Sequence, residues 1–312
     1  MAIIRTPRRT GRVAMPVLFL LLVTSLSLPT SASKFQEDDD DVLRVNTDLV
    51  VMNVTVVDSD GKFIHGLSRK DFKLFVDGQE QKISSFMPEE TPYAAAILLD
   101  TSGSMEQRLI LARSAAIRFL QELREDDNAA VYRFDSEIER IQDYSTSRDL
   151  ADFAFSLKAK GMTSLNDAIL RASIDLRQRS ENRRAIIVLS DGADTKSSAS
   201  ANKALETALA SNATIYTVDM SSTDRADPHN MSAAAALQNF ATKTGGRYVS
   251  SPGGPVMREA FTQIAEELSN QYTVAYLPPP TARDGHWHKL EIKLSRQDLV
   301  ARTRKGYHAP KG

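Results

Sequence analysis

The chain of 312 residues contains no cysteine, so no disulfide braces it, no lipid can be attached through sulfur, and no thiolate is offered to a soft metal. It also has almost no net charge. With 39 basic and 40 acidic residues the formal balance is -1, which excludes a global field directed at nucleic acid or a membrane surface. No internal repeat is evident, so a solenoid is not indicated. The G-x-S-x-G elbow of serine hydrolases is missing, and no histidine stands in a recognisable triad order. What remains is 42% apolar and 25% charged, the composition of a globular protein with ample material for a core.

The first residues form a category of their own. Arg5, Arg8, Arg9 and Arg12 precede an uncharged stretch, "VAMPVLFLLLVTSLSLPTSAS", from Val13 to Ser33. A basic start, an apolar middle and a tail of small residues are the marks of a secretory signal peptide, read here as residues 1–33. The alternative is an uncleaved membrane anchor, since about 20 apolar residues can just span a bilayer; Pro16, Pro29 and the Ser/Thr tail speak against it. Cleavage would remove four arginines and no acids, leaving 35 basic and 40 acidic residues and a net of -5, which disfavours phosphate backbones as partners. The mature protein is expected to be secreted or periplasmic. "QEDDDDV" (Gln36 to Val42) reads as a solvated linker over 34–42, because it lacks the alternating ligands and glycine turn of a calcium loop.

Residues 43–90 then read as β structure, with "LVVMNVTVVD" and "DFKLFVDG" as strands and "DSDGK" (Asp58 to Lys62) as a tight turn. From Tyr93 onward, apolar runs alternate with amphipathic helices, over about Gln107 to Leu123, Ser147 to Lys158, Ser164 to Arg179 and Ala199 to Ser211, and twice more before residue 270. "ILLD" and "IIVLSD" do not alternate, so both are expected to be central strands of a mostly parallel sheet covered on two faces. After "LPPP" the β pattern returns over 271–312. The fold class is therefore α/β, a doubly wound mostly parallel sheet over 91–270, inserted in a small β-sandwich built from 43–90 and 271–312. "HWH" places His286 and His288 on one strand face, as a zinc pair requires, but no third ligand stands near. The pair reads as an exposed strand face, with Trp287 as a core residue.

In an open parallel sheet, ligands bind at the carboxyl ends of the strands. Two apolar strands here end in aspartate: Asp100, followed by Thr101-Ser102-Gly103-Ser104, and Asp191, followed by Gly192-Ala193. Two carboxylates at neighbouring buried tips repel each other unless a cation lies between them. Thr163, in "KGMTSLNDAI", stands just before a further helix. Carboxylates and hydroxyls without thiolate or imidazole form a hard-oxygen set, suited to magnesium, manganese or calcium. The competing reading is that Asp100 and Asp191 simply cap the helices that follow.

These three segments resemble a known family. "DTSGSM" is similar to the D-x-S-x-S signature of von Willebrand factor type A domains, "GMTSLNDAI" to that family's threonine loop, and "LSDGAD" to its second aspartate turn. The resemblance implies a metal-ion-dependent adhesion site in which Ser102, Ser104 and Thr163 contact the ion and Asp100 and Asp191 do so directly or through water. Met162 departs from the pattern, which usually has a second glycine there. The flanks, including "RKGYHAP", resemble secreted Acidobacterial proteins related to this domain. The implied function is a metal-dependent protein-binding module that captures a partner's acidic side chain through the cation, Mg2+ foremost. The alternatives are a scaffold subunit of an envelope complex, whose binding would survive chelation, and a metal-dependent hydrolase, for which the rim has few carboxylates. "SSTDRADPHN" (Ser221 to Asn230) is either a specificity loop on that rim or an ordinary exposed connection.

Overall fold

The computed structural model describes residues 49–89, 91–150, 154, 157–221, 228–250 and 255–311. The signal-peptide and linker readings, the middle of the helix expected over 147–158 and residues 222–227 of the rim loop lie outside the described residues. Among the described residues no helix is long and apolar enough to cross a membrane.

The chain enters through strands β1 (Val50–Val57), β2 (Phe72–Val76), β3 (Gln79–Gln81) and β4 (Ser85–Met87). The turn after β1 is closed by Asp58, whose Oδ1 accepts from the backbone N–H of Asp60 at 3.0 Å and of Lys62 at 2.9 Å. β5 (Tyr93–Asp100) opens the α/β unit, followed by α1 (Leu109–Gln121), β6 (Asn128–Phe134), β7 (Ile138–Ser145), α2 (Leu165–Arg177), β8 (Arg183–Ser190), α3 (Ala201–Ala210), β9 (Ala213–Asp219), α4 (Pro228–Thr244), β10 (Tyr248–Ser250) and α5 (Pro255–Ser269). The chain leaves through β11 (Tyr272–Tyr276), β12 (Trp287–Leu294), β13 (Val300–Arg302) and β14 (Gly306–His308).

The six-stranded sheet has the order β10-β9-β8-β5-β6-β7, parallel except for β7, which returns antiparallel on β6. All eight residues of β5 are buried, and they split by alternation: Tyr93, Ala95, Ile97 and Leu99 face a core with α1 and α5, whereas Ala94, Ala96 and Leu98 face one with α2, α3 and α4. A strand buried on both sides needs apolar residues at every position, which is why "AAAILL" shows no period. Burying each Leu or Ile contributes about 2 kcal/mol. β5 and β8 lie at the centre, as their composition predicts. The chain passes from β5 to β6 on one side and reaches β8 on the other, so the strand order reverses between β5 and β8. An open sheet has its crevice at such a point, beyond the carboxyl ends of the strands.

The flanks interleave. β1 lies between β13 and β11 in one antiparallel four-stranded sheet, and β12 lies between β14 and β2 in another. Their inner faces meet over a single core containing Met52, Val54, Leu74, Val274, Leu290 and Ile292. Each sheet draws strands from both ends of the chain.

The reading of "HWH" is corrected. Trp287 is 37% exposed rather than a core residue, and its ring lies over Gly306, where a Cβ would come within 2.4 Å of it. Only a glycine on β14 leaves room for the indole on that outer face. His286 precedes the strand, and His288 is half-buried rather than an open face, with Nδ1 at 2.7 Å from Asp77 Oδ2 and Nε2 at 3.2 Å from Asp284 Oδ1. Among the described residues, no group of three or more His, Cys, Asp or Glu side chains is placed to hold a metal ion.

Candidate metal centre

Asp100 is the last residue of β5 and is fully buried. Leu99 pairs with Leu189 in the parallel register, so the next residue of β8, Ser190, stands beside Asp100. Ser190 Oγ donates to Asp100 Oδ2 at 2.5 Å, and the Ser102 backbone N–H donates to Oδ1 at 2.9 Å. Neither Asp100 nor Asp191 has an ion-pair partner among the described residues. Burial pushes the Asp100 carboxyl up to about 6, against the pull of hydrogen bonds from Ser102 and Ser190, and the negative charge of Asp191 adds to the push.

Beyond Asp100 the chain makes a short 3-10 turn, Gly103–Met105, and α1 begins only at Leu109. The sequence pattern places the helix start at about Gln107, nearer the aspartate. The turn keeps Ser102 and Ser104 on one side, their hydroxyl oxygens 3.1 Å apart, with Ser102 buried and Ser104 exposed.

The other two loops close on the first through backbone bonds. Lys160 N–H donates to Thr101 O at 2.8 Å, and Gly103 N–H donates to Gly161 O at 3.2 Å. Thr163, itself buried, receives Thr195 N–H and Lys196 N–H on its carbonyl at 2.9 and 3.0 Å, and its own N–H donates to Thr195 Oγ1 at 3.0 Å. The threonine loop is thereby tied to the "DTSGS" segment on one side and to the segment after Asp191 on the other. Asp191, partly exposed, accepts from Ala193 N–H at 3.3 Å. Gly192 has φ +81°, and a Cβ there would come within 2.7 Å of Ala233 O on α4, so glycine is required for the turn to form against that helix.

The structure thus sets Asp100, Ser102, Ser104, Thr163 and Asp191 on three mutually hydrogen-bonded loops at the crevice. Sequence reasoning overlooked Ser190 and Thr195, which orient Asp100 and Thr163. The signal for Ser190 was its place just before the second aspartate, at the tip of the neighbouring strand. The donors are carboxylate and hydroxyl oxygens, two formal negative charges with no basic side chain paired to them among the described residues. That chemistry fits a hard divalent cation and not a soft one. Helix capping does not account for Asp100: its oxygens are occupied by Ser102 and Ser190, and α1 starts nine residues later.

Residues 95–193 match the family model of the von Willebrand factor type A domain. The human inter-alpha-trypsin inhibitor heavy chain H3 is 29% identical over 124 residues, which is 34% of this chain and 14% of that protein. Among solved structures, a von Willebrand factor type A protein from Catenulispora acidiphila superposes with a TM-score of 0.49 at 12% identity, over 77% of this chain and 74% of the other. An aerotolerance-related membrane protein from Bacteroides fragilis gives a TM-score of 0.45 at 20% identity, over 57% and 98%. The family-model match runs from β5 to the turn after β8 and takes in all three motif loops at the reversal of strand order, so this stretch, residues 95–193, is the part of the chain that matches a von Willebrand factor type A domain.

Proposed function

We propose that this protein is a secreted or periplasmic binding module that captures an acidic side chain of a partner protein through a divalent cation, Mg2+ foremost, with Mn2+ and Ca2+ as alternatives. Asp100, Ser102, Ser104, Thr163 and Asp191 would hold the ion. Bound there, the ion supplies positive charge and an open coordination position for a carboxylate. The chain's own residues do the rest: Ser190 and the Ser102 N–H fix the Asp100 carboxylate, and Thr195 fixes the threonine loop. Placement outside the cytoplasm rests on the leader-like residues 1–33.

The observation that carries the reading is a buried carboxylate with no cationic side chain of its own among the described residues, beside a second carboxylate. Burying an unpaired charge is costly, and such a group is retained where something neutralises it. Ser102 Oγ hydrogen-bonds Ser104 rather than an imidazole, so nothing at the site favours the hydrolase reading. Titration calorimetry of the full chain with Mg2+ and Mn2+ tests the proposal. The wild type is expected to bind one ion, and the double substitution Asp100→Ala with Ser102→Ala to lose that binding. A wild type that takes no ion, or a double variant that binds as well, overturns it.

A further inference from the structure

A metal-held carboxylate is the same bond for any acidic partner, so selectivity must come from what surrounds the ion. Nine large apolar side chains are well exposed among the described residues, and four of them share one edge: Met162 at 48%, Ile110 at 70%, Met231 at 61% and Val256 at 52%. Ile110, Met231 and Val256 lie near the starts of helices that follow parallel strands, hence on the carboxyl edge of the sheet, and Met162 lies on the threonine loop that is hydrogen-bonded to that edge. Two of them are placed more closely. Met162 follows Gly161, whose carbonyl accepts from Gly103 N–H in the "DTSGS" turn. Met231 lies two residues before Ala233, whose carbonyl is packed against Gly192, the neighbour of Asp191. The two methionines therefore flank the centre from different sides, on the threonine loop and on α4.

Charge adds to this. Lys160 and Lys196 are exposed on the same two segments as Met162 and Thr195, and neither forms an ion pair among the described residues. Exposed apolar side chains gathered at a binding edge mark a contact surface, and methionine adapts its shape to what it covers. We propose that Met162, Met231, Ile110 and Val256 form an apolar collar that selects a partner segment in which one Glu or Asp stands between aliphatic side chains. Lys160 and Lys196 favour an acidic approach. This rests on the cation-binding reading above: the ion takes the acid and the collar takes its neighbours.

The test uses the full chain saturated with Mg2+ and two peptides, acetyl-Leu-Glu-Leu-amide and acetyl-Ser-Glu-Ser-amide, titrated by calorimetry or NMR shift. The leucine peptide is expected to bind about tenfold tighter, the gain from partly covering a methionine side chain on each flank. The double substitution Met162→Ser with Met231→Ser is expected to erase that preference. Both side chains are exposed, so the variant retains its fold, and Mg2+ affinity on the same samples reports the ion centre separately. Equal affinity for the two peptides, or a preference that survives the double substitution, overturns the collar and leaves the ion centre standing. A wild type that binds no Mg2+ overturns both.

Discussion

Two carboxylates are buried completely among the described residues, and they are treated in contrary ways. Glu267 on α5 lies where the α/β unit meets the flanking sheets. Arg302 of β13 pairs with it directly and Arg247 at 3.3 Å, while Tyr216 OH donates at 2.7 Å and Thr55 Oγ1 at 3.1 Å. Gln271 joins the same network through Thr55 and Tyr216. Asp100 at the carboxyl edge is equally buried but receives one hydroxyl and one backbone N–H, with a second acid as its neighbour. The seam neutralises its charge from within. The edge supplies no such cation among the described residues. Burial alone therefore does not mark a functional acid; in the proposed reading it is burial without an internal cation that does.

That contrast can be broken by mutation, beginning with the seam. Glu267→Ala strands two guanidinium groups, Tyr216 and Thr55 at once, and is expected to destabilise the fold by about 3 kcal/mol in urea denaturation, since removing one partner of a buried pair leaves the rest uncompensated. A loss no larger than that of an exposed Glu→Ala change would show the seam to be ornamental. The edge should answer with the opposite sign. Asp100→Asn removes a charge that burial disfavours, so with chelator present it is expected to stabilise the chain by about 1 kcal/mol while abolishing Mg2+ binding. A chelated variant less stable than wild type would mean that the edge already neutralises itself.

The smallest effect is expected at His288, on the sandwich. Hydrogen bonding to Asp77, then to Asp284, raises its affinity for a proton against the opposing effect of burial, and its ring stacks on Tyr307. A group whose folded pKa is raised contributes stability that is present below its unfolded value of about 6.5 and is lost as pH rises through the folded one. Thermal midpoints of the wild type should therefore fall slightly relative to His288→Gln between pH 6 and pH 8. Parallel curves for the two proteins would remove the clasp from consideration.

Much of the fold was legible because period and composition report local burial. The unalternating "AAILLD" and "IIVLSD" marked strands covered on both faces, and the aspartate at the tip of each marked the edge of the sheet. Trp287 misled because aromatic area usually seeks a core, whereas here Gly306 makes a shelf for it on an outer face. His288 misled because its partners, Asp77 and Asp284, lie on a distant turn and a preceding loop, and strand period carries no information about either. The start of α1 was placed early because "EQR" suits a helix, while the backbone keeps a 3-10 turn to hold Ser102 and Ser104 together.

By itself the sequence determined the alternation of strands and helices and the two-faced core of β5 and β8, and it singled out five oxygen-bearing residues as candidates, because each depends on residue type and spacing over a few positions. Tertiary structure alone decided that Ser190 would hold Asp100, that Arg302 and Arg247 would neutralise Glu267 while no base among the described residues reached Asp100, and that Met162 and Met231 would share one edge. Those outcomes depend on strand register and on contacts between segments far apart in the chain, and no local pattern encodes which distant side chain arrives beside a given charge.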